Sequence, residues 1–218
     1  MQRGDSYAGY RAKLVEAVRA TGIRDLAVLR AVGEVPRHLF VPPALRGQAY
    51  EDTSLPIGNG QTMSQPSTQA RALEALRLTG RERVLEVGTG SGYQTALLAM
   101  VAGQVFSVER VAALAKHARA ALAEAGIGNV SVMVGDGTIG WRDYAPYEAI
   151  VIAAASPDVP RPLLEQLAPG GRILLPLGPR EDQVLTLVTV NADGTMHAQP
   201  LAGARFVPLR GTHGFTDA

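Results

Sequence analysis

Three carboxylates in this sequence stand where an adenosine could use them. Glu86 follows the apolar pair Val84-Leu85, Glu109 closes the run Val105-Phe106-Ser107-Val108, and Asp136 follows the run 130–134. Just beyond Glu86 lies Gly88-Thr89-Gly90-Ser91-Gly92, and a helical pattern begins at once. Glycines there let the backbone turn sharply and let a ligand come close, while the helix start offers free N–H groups. A carboxylate about twenty residues beyond such a turn can accept both hydroxyls of a ribose, the role expected of Glu109. Asp136 is expected to accept from an exocyclic adenine amine, and Glu86 to face a cationic or amino group held over the turn. Glu86 would repel a pyrophosphate but attract a sulfonium bearing an amino-acid tail. The G-x-G-x-G spacing also differs from the G-x-G-x-x-G of dinucleotide binders. Together these features point to S-adenosyl-L-methionine, with Gly88, Thr89, Gly90, Ser91 and Gly92 lining it.

The elements that must position these residues alternate. Strands are expected at 84–86, 105–108, 130–134, 149–153 and 172–175, with helices at 95–99, 111–125 and 162–167 between them. Gly126 closes the second of these helices. Such alternation implies an α/β fold with a doubly wound, mostly parallel sheet, and the S-adenosyl-L-methionine reading makes its expected kind a Rossmann-like class I methyltransferase. Residues 184–190, a turn at 191–194 and the stretch from Met196 onward suggest antiparallel C-terminal strands. Helices at 10–20 and about 26–32 precede the sheet. Val35-Pro36-Arg37-His38-Leu39-Phe40-Val41-Pro42, with prolines near both ends, is expected to be extended and to cap the sheet. The Gly-, Pro- and polar-rich stretch 55–66 is too long for a simple connection and is read as a functional loop. A helix then runs over 66–78 with Ala70, Leu73 and Leu76 buried, and Ser64 or Ser67 could serve as its N-cap.

The chain has 218 residues, 46% of them hydrophobic, which suits one domain. That domain spans 1–218, with N-terminal helices and a substrate loop over 1–66 and the cofactor-binding sheet and C-terminal strands over 67–218. A formal charge of +1 gives no reason to expect a nucleic-acid or membrane partner. The absence of cysteine excludes disulfides and thiolate chemistry. His38, His117, His197 and His213 are dispersed, so no metal site is expected. No apolar run resembles a signal peptide or spans a bilayer, so the cytoplasm is the expected compartment. Tyr50, Glu51 and Asp52 are expected to anchor the loop, and Arg37 and His38 to belong to the cap in preference to facing substrate.

Several motifs resemble those of protein-L-isoaspartate O-methyltransferases. They are Val35-Pro36-Arg37-His38-Leu39-Phe40-Val41-Pro42, Gly60-Gln61-Thr62-Met63-Ser64-Gln65-Pro66, Leu85-Glu86-Val87-Gly88-Thr89-Gly90-Ser91-Gly92-Tyr93, Gly135-Asp136-Gly137 and Ala204-Arg205-Phe206-Val207-Pro208-Leu209. The similarity runs in order over about 11–210; the glycine turn is shared by many methyltransferases, the Gln-Thr-Met-Ser-Gln-Pro loop is specific to this family. The resemblance implies methyl esterification of the α-carboxylate of L-isoaspartyl residues in damaged proteins and peptides, followed by succinimide formation. It implies that Ser64 is the active-site serine and holds the substrate carboxylate. It further implies that Thr62 and Met63 line the cofactor, with Gly137 beside Asp136. Two positions depart from the family pattern: Ser67-Thr68 stands where an aromatic often follows Gln-Pro, and Ile152-Ala153-Ala154-Ala155 replaces a motif that usually contains threonine. Three other readings stay open at this point: an O-methyltransferase acting on ordinary aspartate of a dedicated peptide, a nicotinamide oxidoreductase, and a cofactor-binding module without catalysis.

Overall fold

Side-chain alternation along the central strands explains how the sheet acquires two buried faces. The computed structural model of the protein describes residues 6–191 and 193–216. In β3 (Arg83–Val87), Val84 points to one face while Leu85 and Val87 point to the other. The same parity holds in β4 (Gln104–Glu109) and β6 (Tyr147–Ile152): Val105, Ala149 and Val151 join the first face, Phe106, Val108, Ile150 and Ile152 the second. Apolar residues on both sides are what a parallel sheet covered by helices requires.

The seven-stranded sheet has the order β5-β4-β3-β6-β7-β8-β9. β5 is Val130–Val134, β7 Leu167–Leu177, β8 Gln183–Val190 and β9 Met196–Ala204. The first five strands in that order run parallel, and β8 and β9 complete the sheet antiparallel, as expected. The chain winds outward from β3 to β5, then crosses to β6 on the opposite side. The crevice at the carboxyl ends of β3 and β6 is therefore the topological switch point, where such sheets bind ligands. Of the expected turn at 191–194, Ala192 lies outside the described residues; Gly194 N donates to Asn191 O across it at 3.0 Å.

On the first face lie α1 (Ala8–Ala20), α2 (Leu26–Glu34), α3 (Pro66–Leu76) and α4 (Tyr93–Val101), sharing one core with the sheet. Helix α5 (Ala112–Glu124) packs against β4 and β5, and the short α6 (Arg161–Leu164) buries Leu163 in the second core.

Two N-terminal expectations need correction. The stretch 35–42 is not extended throughout: Arg37–Phe40 forms a 3-10 turn between the two prolines. Pro36 and Pro42 restrict only their neighbours, and the burial of Arg37 and Phe40 drives the turn inward. The expected loop at 55–66 contains a two-stranded hairpin, β1 (Leu55–Gly58) with β2 (Gln61–Met63). Its tip, Gly58, Asn59 and Gly60, has φ of +85°, +52° and +67°. Asn59-Gly60 is the sequence signal that could have announced it.

Candidate active site

The glycine turn meets its geometric requirement residue by residue. Gly88, Gly90 and Gly92 have φ of +97°, +55° and +88°, which side-chain-bearing residues rarely adopt. A Cβ on Gly88 would come within 3.5 Å of the Ala153 Cβ, so the turn sits close against the end of β6. Gly88, Thr89, Gly90 and Ser91 line a cleft at the carboxyl end of the central strand. Gly92 does not line it and is corrected to a packing role. It caps α4, and a Cβ there would lie 3.1 Å from that of Ala118 on α5.

The three strand-end carboxylates diverge in role. Glu109 lines the cleft, its Oε2 accepting from Gly90 N at 2.8 Å and its Oε1 from Val111 N at 2.9 Å. Both bonds aim and hold it where a diol could approach. Glu86 is turned inward instead. Strand parity sends it with Val84 to the face covered by α4, where it is 0% exposed. It accepts from Thr95 Oγ1 at 2.5 Å, Ser107 Oγ at 2.7 Å and Gln94 Nε2 at 3.2 Å. Burial pushes its carboxyl up to about 7, against the lowering effect of these three bonds. The expected direct contact with a ligand cation is thus corrected. Ser107 also bonds Thr89 Oγ1 at 2.6 Å, so Glu86 braces the cleft wall from behind.

Asp136 is engaged on both oxygens. Its Oδ1 accepts from Thr138 N and Oγ1, at 2.9 and 2.6 Å, and its Oδ2 from Thr212 N and Oγ1, both at 2.8 Å. The carboxylate ties the C-terminal segment to the end of β5 and faces a neighbouring open depression, leaving Gly137 to line the cleft. The adenine amine assigned to it would have to compete with four donors.

The opposite wall comes from the β1–β2 hairpin. Thr62, Met63 and Ser64 line the cleft, and Ile57 Cδ1 lies 3.4 Å from where a Gly90 Cβ would be, so the hairpin lies over the glycine turn. Buried Arg37 holds the preceding chain, donating to Ala49 O at 2.6 Å, Glu51 O at 3.3 Å and Thr53 O at 3.0 Å. Its guanidinium also lies 5.3 Å from the Tyr93 ring centroid. Asp52 Oδ1 accepts from Ser67 N at 2.8 Å, satisfying the start of α3. The expected anchoring role of Asp52 is visible in its bond, and Arg37 adds three anchoring bonds that the sequence did not announce. Neither expected serine caps α3: the N-cap is Gln65, without a side-chain capping bond.

The Ser64 hydroxyl has no hydrogen-bond partner among the described residues. It stands where this cleft meets a second one, lined in part by Ser54, Gln65, Thr68, Arg205 and Phe206. Thr62, Ser64, Ala153 and Val207 border both clefts. The C-terminal segment closes the far side, with Ala155 N donating to Val207 O at 2.8 Å and Leu209 N to Ala155 O at 2.7 Å. Among the described residues no group of three His, Asp or Glu side chains could hold a metal. Residues that sequence reasoning missed include Gln69 and Gln94, whose helical positions carried no signal beyond core packing.

Comparison with known proteins agrees with this geometry. The family model of protein-L-isoaspartate(D-aspartate) O-methyltransferase matches residues 10–214. A protein-L-isoaspartate O-methyltransferase 1 of Anaeromyxobacter sp. (strain Fw109-5) is 55% identical over 205 residues, 93% of this chain and 97% of that protein. A protein-L-isoaspartate O-methyltransferase of Syntrophus aciditrophicus (strain SB) is 48% identical over 215 residues, 97% of this chain and 99% of that one. A solved structure of a protein-L-isoaspartate O-methyltransferase superposes with TM-score 0.84 at 30% identity, over 94% of this chain and 67% of that chain.

Proposed function

We infer the reaction from a fixed premise: the chain belongs to the protein-L-isoaspartate O-methyltransferase family. It is an S-adenosyl-L-methionine-dependent enzyme that esterifies the α-carboxylate of L-isoaspartyl residues in damaged proteins and peptides, initiating repair through a succinimide. The alternative, ordinary aspartate of a dedicated peptide, is not favoured by the relatives.

S-Adenosyl-L-methionine supplies, when bound, a methyl group on a sulfonium. The cleft fits such a molecule. Its glycine floor allows close backbone approach, and Glu109 is a fixed two-oxygen acceptor for a ribose. In our assignment Glu109 takes the ribose hydroxyls, while Gly88, Thr89, Gly90, Ser91, Thr62, Met63 and Gly137 form the walls. Ser64 donates to the substrate carboxylate and orients it from the junction of the two clefts.

A carboxylate with an ordinary pKa near ~4 is already ionised at neutral pH, so this chemistry needs no general base. The side chains assigned here accordingly position rather than deprotonate. Rate then comes from alignment of the acceptor oxygen and from exclusion of water between the hairpin and the C-terminal segment. The observation that carries these assignments is the unpartnered Ser64 hydroxyl bordering both clefts.

We assign the enzyme to the cytoplasm, with isoaspartyl proteins and peptides as partners and neither nucleic acid nor membrane; no described helix is long and apolar enough to cross a membrane. The test is methyl transfer from labelled S-adenosyl-L-methionine to an isoaspartyl peptide and its aspartyl isomer. Base-labile label on the isoaspartyl peptide alone is expected. Label on the aspartyl isomer alone would overturn the acceptor assignment.

A further inference from the structure

The second cleft, where the acceptor chain lies in our assignment, is almost free of charge. Hydroxyls, an amide, small residues and Phe206 make its wall, and Arg205 is the only charged side chain among the described residues that lines it. Arg205 is exposed, and its guanidinium takes part in no hydrogen bond, ion pair or ring contact among the described residues. The protein's own carboxylates are close in register: Glu181 and Asp182 precede Gln183, the strand partner of Ala204. Neither pairs with Arg205. The backbone beyond Arg205 is nevertheless held. Phe206 N donates to Gln183 Oε1 at 2.9 Å, and Val207 O accepts from Ala155 N at 2.8 Å. A free cation on a fixed base thus stands at an otherwise neutral cleft.

Ser64 borders both clefts, whereas Arg205 lines only the second. The reacting carboxylate has to meet the methyl group of the cofactor, so it belongs at the Ser64 junction. Arg205 is left for what the acceptor chain carries beside its isoaspartyl residue. A guanidinium presents a planar fork of donors that matches a carboxylate and repels an ammonium group. With no negative side chain in the cleft wall to offset it, its field falls on the bound chain.

We propose that Arg205 makes the enzyme selective for isoaspartyl residues that have an acidic side chain close by in the acceptor chain. This rests on the acceptor assignment above. The contact is made alike before and during methyl transfer, so it acts on KM and leaves kcat to the groups at the junction.

The test uses the full chain, saturating S-adenosyl-L-methionine and three isoaspartyl peptides. They differ only at the two residues flanking an isoaspartyl–glycine pair, which are both Glu, both Gln or both Lys. At low ionic strength kcat/KM is expected to fall in that order, by about threefold at each step, the scale of an exposed ion pair or like-charge contact. The difference should sit in KM and shrink toward none in about 0.5 M salt. Arg205→Gln should level the three peptides, and Arg205→Glu should reverse their order. The readout is the order of peptides within one protein, so a general loss of rate in a variant does not imitate it. Wild type indifferent to flanking charge, or Arg205→Glu that keeps the wild-type order, would overturn the proposal. Loss of kcat on all three peptides with the order kept would overturn it too, placing Arg205 on the reacting carboxylate. Wild type that methylated none of the three would overturn the acceptor assignment itself, and the proposal with it.

Discussion

The two walls of the cleft are built differently. The glycine turn continues a five-residue strand at the centre of a parallel sheet, and its backbone is bonded directly into that sheet, with Gly88 N donating to Val108 O at 2.8 Å. Behind it, Thr89, Ser107 and Glu86 form a linear chain of buried hydrogen bonds. The facing hairpin has strands of only four and three residues and is not part of the main sheet. The chain leading into it depends on Arg37, and the helix leading out of it on Asp52. An isolated two-stranded hairpin is marginal in water, so its position is owed to these anchors. The cofactor wall is therefore preorganised by the fold, and the acceptor wall by a few long-range polar contacts.

That contrast can be broken first at Arg37. Arg37→Met would leave the carbonyls of Ala49, Glu51 and Thr53 without their buried donor. A loss of about 3 kcal/mol or more is expected in denaturant unfolding. The variant at a temperature where it remains folded should lose methyl transfer more than cofactor affinity. Equal losses of both would mean that the walls are not separately supported.

The cofactor wall is probed by pH. Burial raises the Glu86 carboxyl in the folded state to about 7, above its ordinary value of 4.5. A raised folded value means that its contribution is fully present below about pH 4.5 and is lost as pH rises through about 7. Wild type should therefore lose roughly 3 kcal/mol across that window relative to Glu86→Gln, measured by unfolding at both ends. Identical pH dependence in the two proteins would show that Glu86 is not the buried titrating group.

The smallest effect is expected where the C-terminal segment meets the sheet. Burial raises the Asp136 carboxyl, but the bonds from Thr138 and Thr212 outweigh it and leave the net value below the ordinary range. Its stabilising bonds are present above the ordinary carboxylate range and are lost as pH falls through the depressed value. Asp136→Asn should cost about 1 kcal/mol at neutral pH and free the segment at Thr212, read by amide hydrogen exchange. Unchanged protection at Thr212 would contradict the tie.

How far the sequence reaches follows from the same contrast. The strand–turn–helix around Gly88 was legible because apolar runs, glycines and helix start are all local. The antiparallel finish was legible from alternation and the turn at Gly194. Strand parity decided that Glu86 points away from the cleft, and only the position of α4 says which face that is. The tie from Asp136 to the C-terminal segment could not be read because its partner Thr212 is 76 residues away. The hairpin was missed although Asn59-Gly60 announced it, since the proline- and glycine-rich composition suggested a loop. Ser64 was found through family resemblance, as a lone serine before a helix reads first as a cap.

The most direct test of the central claim, that Ser64 serves the acceptor and the glycine wall serves the cofactor, is Ser64→Ala with two readouts. Single-turnover methyl transfer to an isoaspartyl peptide should fall by roughly tenfold or more, while S-adenosyl-L-homocysteine affinity stays at the wild-type value. Wild-type turnover, or a loss of affinity matching the loss of rate, would contradict the account.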